Sequence, residues 1–141
     1  MWHGNDTIWR TILDVNYAIL FADKKGIVQD SEQRKLINIG DMIVCGDHEG
    51  PLMPSHKKIG GLLFSDQAVI FDLFVIKMMG FDYTSFPVAV HAFNEGILLD
   101  GEKSIEEYVL FSNDSSFNGK AFFDIEKTFS FVPTTGWKDV L

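Results

Sequence analysis

Cysteine is almost absent from this chain of 141 residues, since Cys45 is the only one. A single thiol cannot form an internal disulfide, and it cannot by itself hold a thiolate metal site. Cys45 lies in the apolar run 42–45, which favours a structural thiol. The sequence therefore excludes a disulfide scaffold and predicts no iron–sulfur cluster in this chain alone.

The chain also lacks a long uninterrupted apolar segment. Its most apolar span, residues 59–79, is interrupted by Asp66, Asp72 and Lys77, which argues against a membrane helix. No basic region precedes an apolar stretch near Met1, so a signal peptide is not predicted. We therefore expect a cytoplasmic protein without membrane contact.

Positive charge is scarce as well, because 12 Lys and Arg face 20 Asp and Glu, giving a net charge of −8. Nucleic acid would be repelled overall, so no nucleic-acid partner is predicted. Hydrophobic residues make up 46% of the sequence, which is typical of a globular domain rather than a disordered chain. We expect residues 1–141 to form a single domain.

Apolar residues at helical spacing predict a helix over residues 6–22. Asn5 or Asp6 can cap its first turn, and Gly26 follows its end. The apolar stripe consists of Ile8, Ile12, Val15 and Ile19, widened by Trp9, Leu13 and Leu20.

Downstream, the pattern alternates between strands, loops and helices. Strands are predicted at 36–45 and 59–65, with a loop at 46–58 between them. A helix is predicted at 66–79, where Gly80 ends it, and a short helix at 87–96. A turn at 104–108 and an alternating strand at 129–131 complete the prediction. This order predicts an α/β or α+β fold, with a single-layer mixed sheet packed with helices and the first helix at the N-terminus.

Four polar residues cluster where the first helix begins: His3, Asn5, Asp6 and Arg10. A helix N-terminus offers free N–H groups and partial positive charge, so these residues predict an anion or ligand site. His3 and Asp6 could instead contribute to a cation site. Plain helix capping and a solvated polar face are the alternative interpretation.

A second cluster, Asp47, His48 and Glu49, occupies a glycine-flanked loop directly after a predicted strand. Carboxylates and imidazole are ligands for divalent cations, so the loop predicts a Mg²⁺ or Mn²⁺ site that Asp41 or Asp72 would complete. A solvated acidic turn is the alternative, and Asp72 would then lie on an exposed helix face or be buried with a partner. No complete catalytic motif is present.

Several of these stretches together resemble the domain-of-unknown-function family 362. The resemblance begins with residues 3–11 and with Leu13, Asp14 and Asn16. It continues with the strand that carries Asp41, the loop with Gly46 and Gly50-Pro51, the helix with Asp72 that ends at residues 79–82, and the closing residues 131–133 and 136–138. It covers nearly all of this chain but only the C-terminal part of the family's domain. Asp47, His48 and Glu49 depart from the family's loop, and the family's aspartate–proline pair before the helix is missing.

This resemblance implies a domain without its N-terminal half. The leading hypothesis is a remnant divalent-metal or anion-binding domain. One alternative is a non-catalytic interaction module, or a half-domain that pairs with a separately encoded N-terminal half or forms a homo-oligomer. The excess of phenylalanine, 13 residues, favours this alternative. A further alternative is part of an enzyme of unknown reaction.

Overall fold

The structure, a computed structural model, describes residues 5–94 and 104–138, with side chains from residue 7 onward. Its helices and strands are α1 (Asn5–Phe21), β1 (Asn38–Glu49), β2 (Met53–Ser65), α2 (Ala68–Met79), α3 (Pro87–Asn94), β3 (Val109–Leu110) and β4 (Lys120–Ala121). The predicted mixed α+β class with a helix near the N-terminus is confirmed. The described part contains two antiparallel two-stranded sheets, β1–β2 and β3–β4, rather than one mixed sheet.

The β1–β2 hairpin dominates the first half of the chain. The loop predicted at 46–58 is wrong, because β1 continues to Glu49 and β2 begins at Met53. A β-bulge interrupts the ladder between the pairs Met42↔Gly61 and Val44↔Lys58. Gly60, with φ of 79°, provides the left-handed backbone that such a bulge needs.

Helix α2 lies at the centre of the core. Its side chains are enclosed on most sides, and Leu73 is completely buried. Gly80, at φ of 95°, ends the helix as predicted, and its N–H donates to the Lys77 carbonyl at 3.0 Å. Gly40 of β1 lies against α2 so closely that a Cβ there would be 2.7 Å from Cζ of Phe71. The inner face of the hairpin therefore packs directly on α2.

Helix α1 packs on α3 and the core through part of its apolar surface only. Leu13 and Leu20 are buried, and Trp9 stacks on His91 with ring centroids 3.9 Å apart. The four residues of the predicted stripe remain exposed by 41–57%: Ile8, Ile12, Val15 and Ile19. The apolar arc of α1 is thus wider than the surface that the described fold covers.

The C-terminal part wraps around α2. Phe117, Phe122 and Ile125 are buried in the core. The N–H groups of Phe129 and Phe131 donate to the carbonyls of Met78 and Met79 at the end of α2. These residues alternate as predicted, but residues 129–131 pair with no strand in the described ranges. This tail instead leads to the far end of the hairpin. None of the described helices is both long and apolar enough to cross a membrane.

Candidate functional site

The tip of the hairpin is the first candidate site, because the predicted residues 47–49 lie there. We call residues 46–56 the closed end of the hairpin. The tail residues 131–134 lie against it, and together they border a groove of about 430 Å³. Its walls are largely aromatic and proline side chains, namely Pro51, Pro54, Phe81, Phe131 and Pro133.

Asp47 is the buried acid of the closed end, with 7% of its surface exposed. One carboxylate oxygen accepts a hydrogen bond from Nζ of Lys57 at 2.8 Å, and the other accepts from the Val132 N–H at 2.7 Å. Burial acts to raise the pKa of Asp47, but the hydrogen bonds from Lys57, Val132 and His48 outweigh it and lower the pKa. The carboxylate is therefore charged and fully engaged in holding the tail.

Lys57 belongs to the same clamp. Its ammonium also donates to the Ser130 carbonyl at 2.8 Å and lies 4.9 Å from the ring centroid of Phe131. A lysine that bonds both an acid of β1 and the backbone of the tail fixes these segments together. The charge pair serves the packing of the chain rather than an open binding site.

Glu49, two residues after Asp47 in β1, also bonds the hairpin to the tail. Its carboxylate accepts from both the hydroxyl and the N–H of Thr135, and these hydrogen bonds lower the pKa of Glu49. Alternate residues of a strand share a face, so Asp47 and Glu49 both reach the tail. His48 between them is half exposed, with Nδ1 3.6 Å from Oδ2 of Asp47, beyond hydrogen-bond distance.

The structure does not assemble the predicted metal set. Asp72 lies on α2 and lines a different groove, bordered by α1 and α3. Throughout the described ranges, no three His, Cys, Asp or Glu side chains are grouped so that they could hold a metal ion. Asp47 and Glu49 are bonded to the tail, and neither shares a groove with Asp72.

The predicted anion site at the start of α1 stays a prediction. His3 lies outside the described residues, and the side chains of Asn5 and Asp6 are outside them too. The guanidinium of Arg10 lies 4.2 Å from the ring centroid of Trp9 in a cation–π contact.

The groove at the closed end offers little to nucleophilic catalysis. Its lining includes no serine or cysteine, and Thr134 is the one hydroxyl side chain there. The imidazole of His48 donates no hydrogen bond to the Asp47 carboxylate, so it is not oriented as a general base. Cys45 is half-buried elsewhere on the hairpin, and burial together with the nearby Asp41 charge raises the pKa of its thiol. The described site therefore resembles a structural clamp more than an active site.

Sequence reasoning missed an apolar surface at the other end of the hairpin. We call it the outer face; it comprises Ile37, Ile39, Asp41, Ile43, Leu62 and Phe64. Its five apolar side chains are 53–73% exposed, and Ile39 pairs directly with Phe64 across the strands. Its alternate neighbours Gly40 and Leu63 face the core instead. The sequence signal was present, because strands 36–43 and 61–64 are apolar on both faces, which is typical of a strand covered on both sides.

Comparison with known proteins adds no relative: no family model, curated protein or solved structure matches this chain. The resemblance to the domain-of-unknown-function family 362 therefore stays a prediction.

Proposed function

We propose that this chain is a non-catalytic interaction module that associates with another protein chain through the outer face of its hairpin. The observation that supports the proposal is the exposure of five large apolar side chains on one sheet face, from 53% for Ile43 to 73% for Ile37. Contiguous apolar surface of this kind marks interaction sites in folded proteins. The net charge of −8 favours solubility, so the chain can carry an exposed apolar face.

The simplest partner is a second copy, because two identical apolar faces can cover each other about a two-fold axis. Full burial of one Ile, Leu or Phe side chain contributes about 1.5–3 kcal/mol, so half-covering ten of them contributes on the order of 10 kcal/mol. Association costs about 4–15 kcal/mol in lost freedom of motion. These opposing magnitudes predict reversible association rather than a permanent dimer.

Sedimentation velocity over a range of protein concentrations tests this proposal. We expect concentration-dependent association, lost in the double variant Ile39→Thr/Phe64→Thr, together with binding of an apolar dye that the same variant reduces. Leu52→Ser is the matched control, because Leu52 is 91% exposed but lies in the hairpin turn, away from the outer face. A strictly monomeric chain that binds no apolar dye would contradict the proposal.

A further inference from the structure

Asp72 lies where helix α2 reaches the surface. Of the twelve residues of α2, Asp72 is the only exposed one. Its side chain lines a narrow groove between α1, α2 and α3. Three alanines, Ala68, Ala89 and Ala92, line the same groove, and Ala89 and Ala92 are buried at its floor.

The carboxylate of Asp72 lies among apolar groups without a cation. The other residues that line the groove are apolar, apart from Asn16. Among the described residues, none forms a hydrogen bond or ion pair with the carboxylate of Asp72, and desolvation raises the pKa of this carboxyl. Because this carboxylate is partly desolvated but still reaches the surface, a cation that comes to it would favour its charged form. The groove is therefore complementary to an apolar group that carries a positive charge.

The exposed stripe of α1 borders this groove. Ile8, Ile12, Val15 and Ile19 follow one another at spacings of four, three and four residues, and Ile12 belongs to both the stripe and the groove. This is the spacing at which one helix packs along another. Their exposure, between 41% and 57%, shows that no described element covers them. The stripe and the groove thus meet at Ile12 and form one apolar surface with Asp72 at its edge.

We propose that this surface binds an amphipathic helix of another protein, whose apolar residues cover the α1 stripe and whose lysine or arginine pairs with Asp72. The net charge of −8 would attract a cationic segment at long range. The site is distinct from the outer face of the hairpin and does not depend on the proposed self-association.

A second copy of this chain fits the surface less well. In a second copy, the cation on α1 is Arg10, which lies over the ring of Trp9. Arg10 is two residues from both Ile8 and Ile12, so it projects from another side of the helix than the apolar stripe. Lys77 of α2 lies 5.7 Å from the ring centroid of Phe122, away from the stripe. Neither Arg10 nor Lys77 lies on the exposed stripe of α1, and Arg34, at its Ile19 end, is bonded to the carbonyls of Ile19 and Ala22. A cationic helix of a different chain therefore fits this surface better than a second copy does.

A set of fluorescently labelled amphipathic peptides tests this inference by anisotropy. All share leucines at the three- and four-residue spacing and differ only in one position beside the apolar stripe, which carries lysine, glutamine or glutamate. We expect the lysine peptides to bind the wild-type chain best. Asp72→Asn should weaken their binding about tenfold, to the level of the glutamine peptides, because the cation loses its partner.

Three further measurements make the outcome decisive. Asp72→Asn should raise the melting temperature of the free chain, since it removes an unpaired charge; a purely structural acid would lower it. Phe64→Thr should leave peptide binding unchanged, which separates this site from the outer face. Val15→Asp should abolish binding. Failure of every peptide to bind, equal binding of lysine and glutamate peptides, or a loss of self-association in Val15→Asp would overturn the inference.

Discussion

The two ends of the β1–β2 hairpin differ in which side chains they bury and which they expose. At the closed end, Asp47 and Glu49 are bonded to Val132 and Thr135 of the tail, and Asp47 is buried. At the open end, residues 37–43 and 61–65, apolar side chains such as Ile39 and Phe64 are more than half exposed. Two acids that suggested a metal site, Asp47 and Glu49, hold the tail, whereas apolar residues typical of a core lie at the surface. Residue type alone therefore does not separate structural from functional positions here.

The largest contrast is expected between two neighbours of β2, Leu63 and Phe64. Leu63 faces the core and is 8% exposed, so Leu63→Ala should lower the free energy of unfolding by about 3 kcal/mol through lost burial and a cavity. Phe64→Ala should change it by less than about 1 kcal/mol in dilute solution, because Phe64 is 58% exposed. Urea denaturation measures both.

Repeating these titrations at high protein concentration sharpens the comparison. If a second copy covers Phe64, the cost of Phe64→Ala grows with concentration, whereas the cost of Leu63→Ala stays large throughout. Equal costs in dilute solution would mean that Phe64 is as well packed as Leu63, and the distinction between the two faces would fail.

The next contrast lies between the acids of the two ends. Asp47→Ala removes the acceptor for both Lys57 and Val132, and it should lower the free energy of unfolding at neutral pH by about 2 kcal/mol. Asp41→Ala is the matched control at the open end, because Asp41 is exposed and accepts only from the Ile43 N–H among the described contacts. Its effect should stay within about 0.5 kcal/mol.

The effect of Asp47 should also depend on pH in a defined direction. Its pKa is lowered in the folded chain, so its stabilisation is present above the ordinary aspartate pKa of about 3.9 and is lost as the pH falls through the folded value. The gap between wild type and Asp47→Ala should therefore close in acid. A gap that persists or widens at low pH would show that the Asp47 charge does not hold the tail.

The parts of the fold that depend on local pattern were predictable from the sequence. Helix α2 coincides with an apolar segment that only Asp72 and Lys77 interrupt, and Gly80 supplies its left-handed end. The ends of the two hairpin strands were not predicted. Pro51, Pro54 and their polar neighbours are typical of a loop, but β2 accommodates Pro54 near its start. Short-range signals thus placed the helices better than the strand ends.

The candidate site was less predictable, because distant contacts decide it. Asp47 and Glu49 acquire their roles from Val132 and Thr135, 85 and 86 residues along the chain. Likewise, α2 and α3 decide which side of α1 is covered. Leu13 is buried, but its neighbour Ile12 is not. Periodicity identifies an apolar surface; it does not say how much of that surface the chain itself can cover.

The smallest change in stability is expected from alanine substitutions at two glycines on the inner face of the hairpin, Gly40 and Gly61. A Cβ at Gly40 would lie 2.7 Å from Cζ of Phe71, whereas one at Gly61 would meet only the end of Met42, at 3.5 Å. Either alanine restricts the unfolded chain, which stabilises by about 0.5 kcal/mol. At Gly40 the ring of Phe71 must move, so Gly40→Ala should be destabilising overall by about 1 kcal/mol. Gly61→Ala should be neutral or slightly stabilising. Because the two glycines lie on adjacent strands of one sheet face, thermal melts that rank them the other way would mean that the hairpin does not pack on α2 through Gly40.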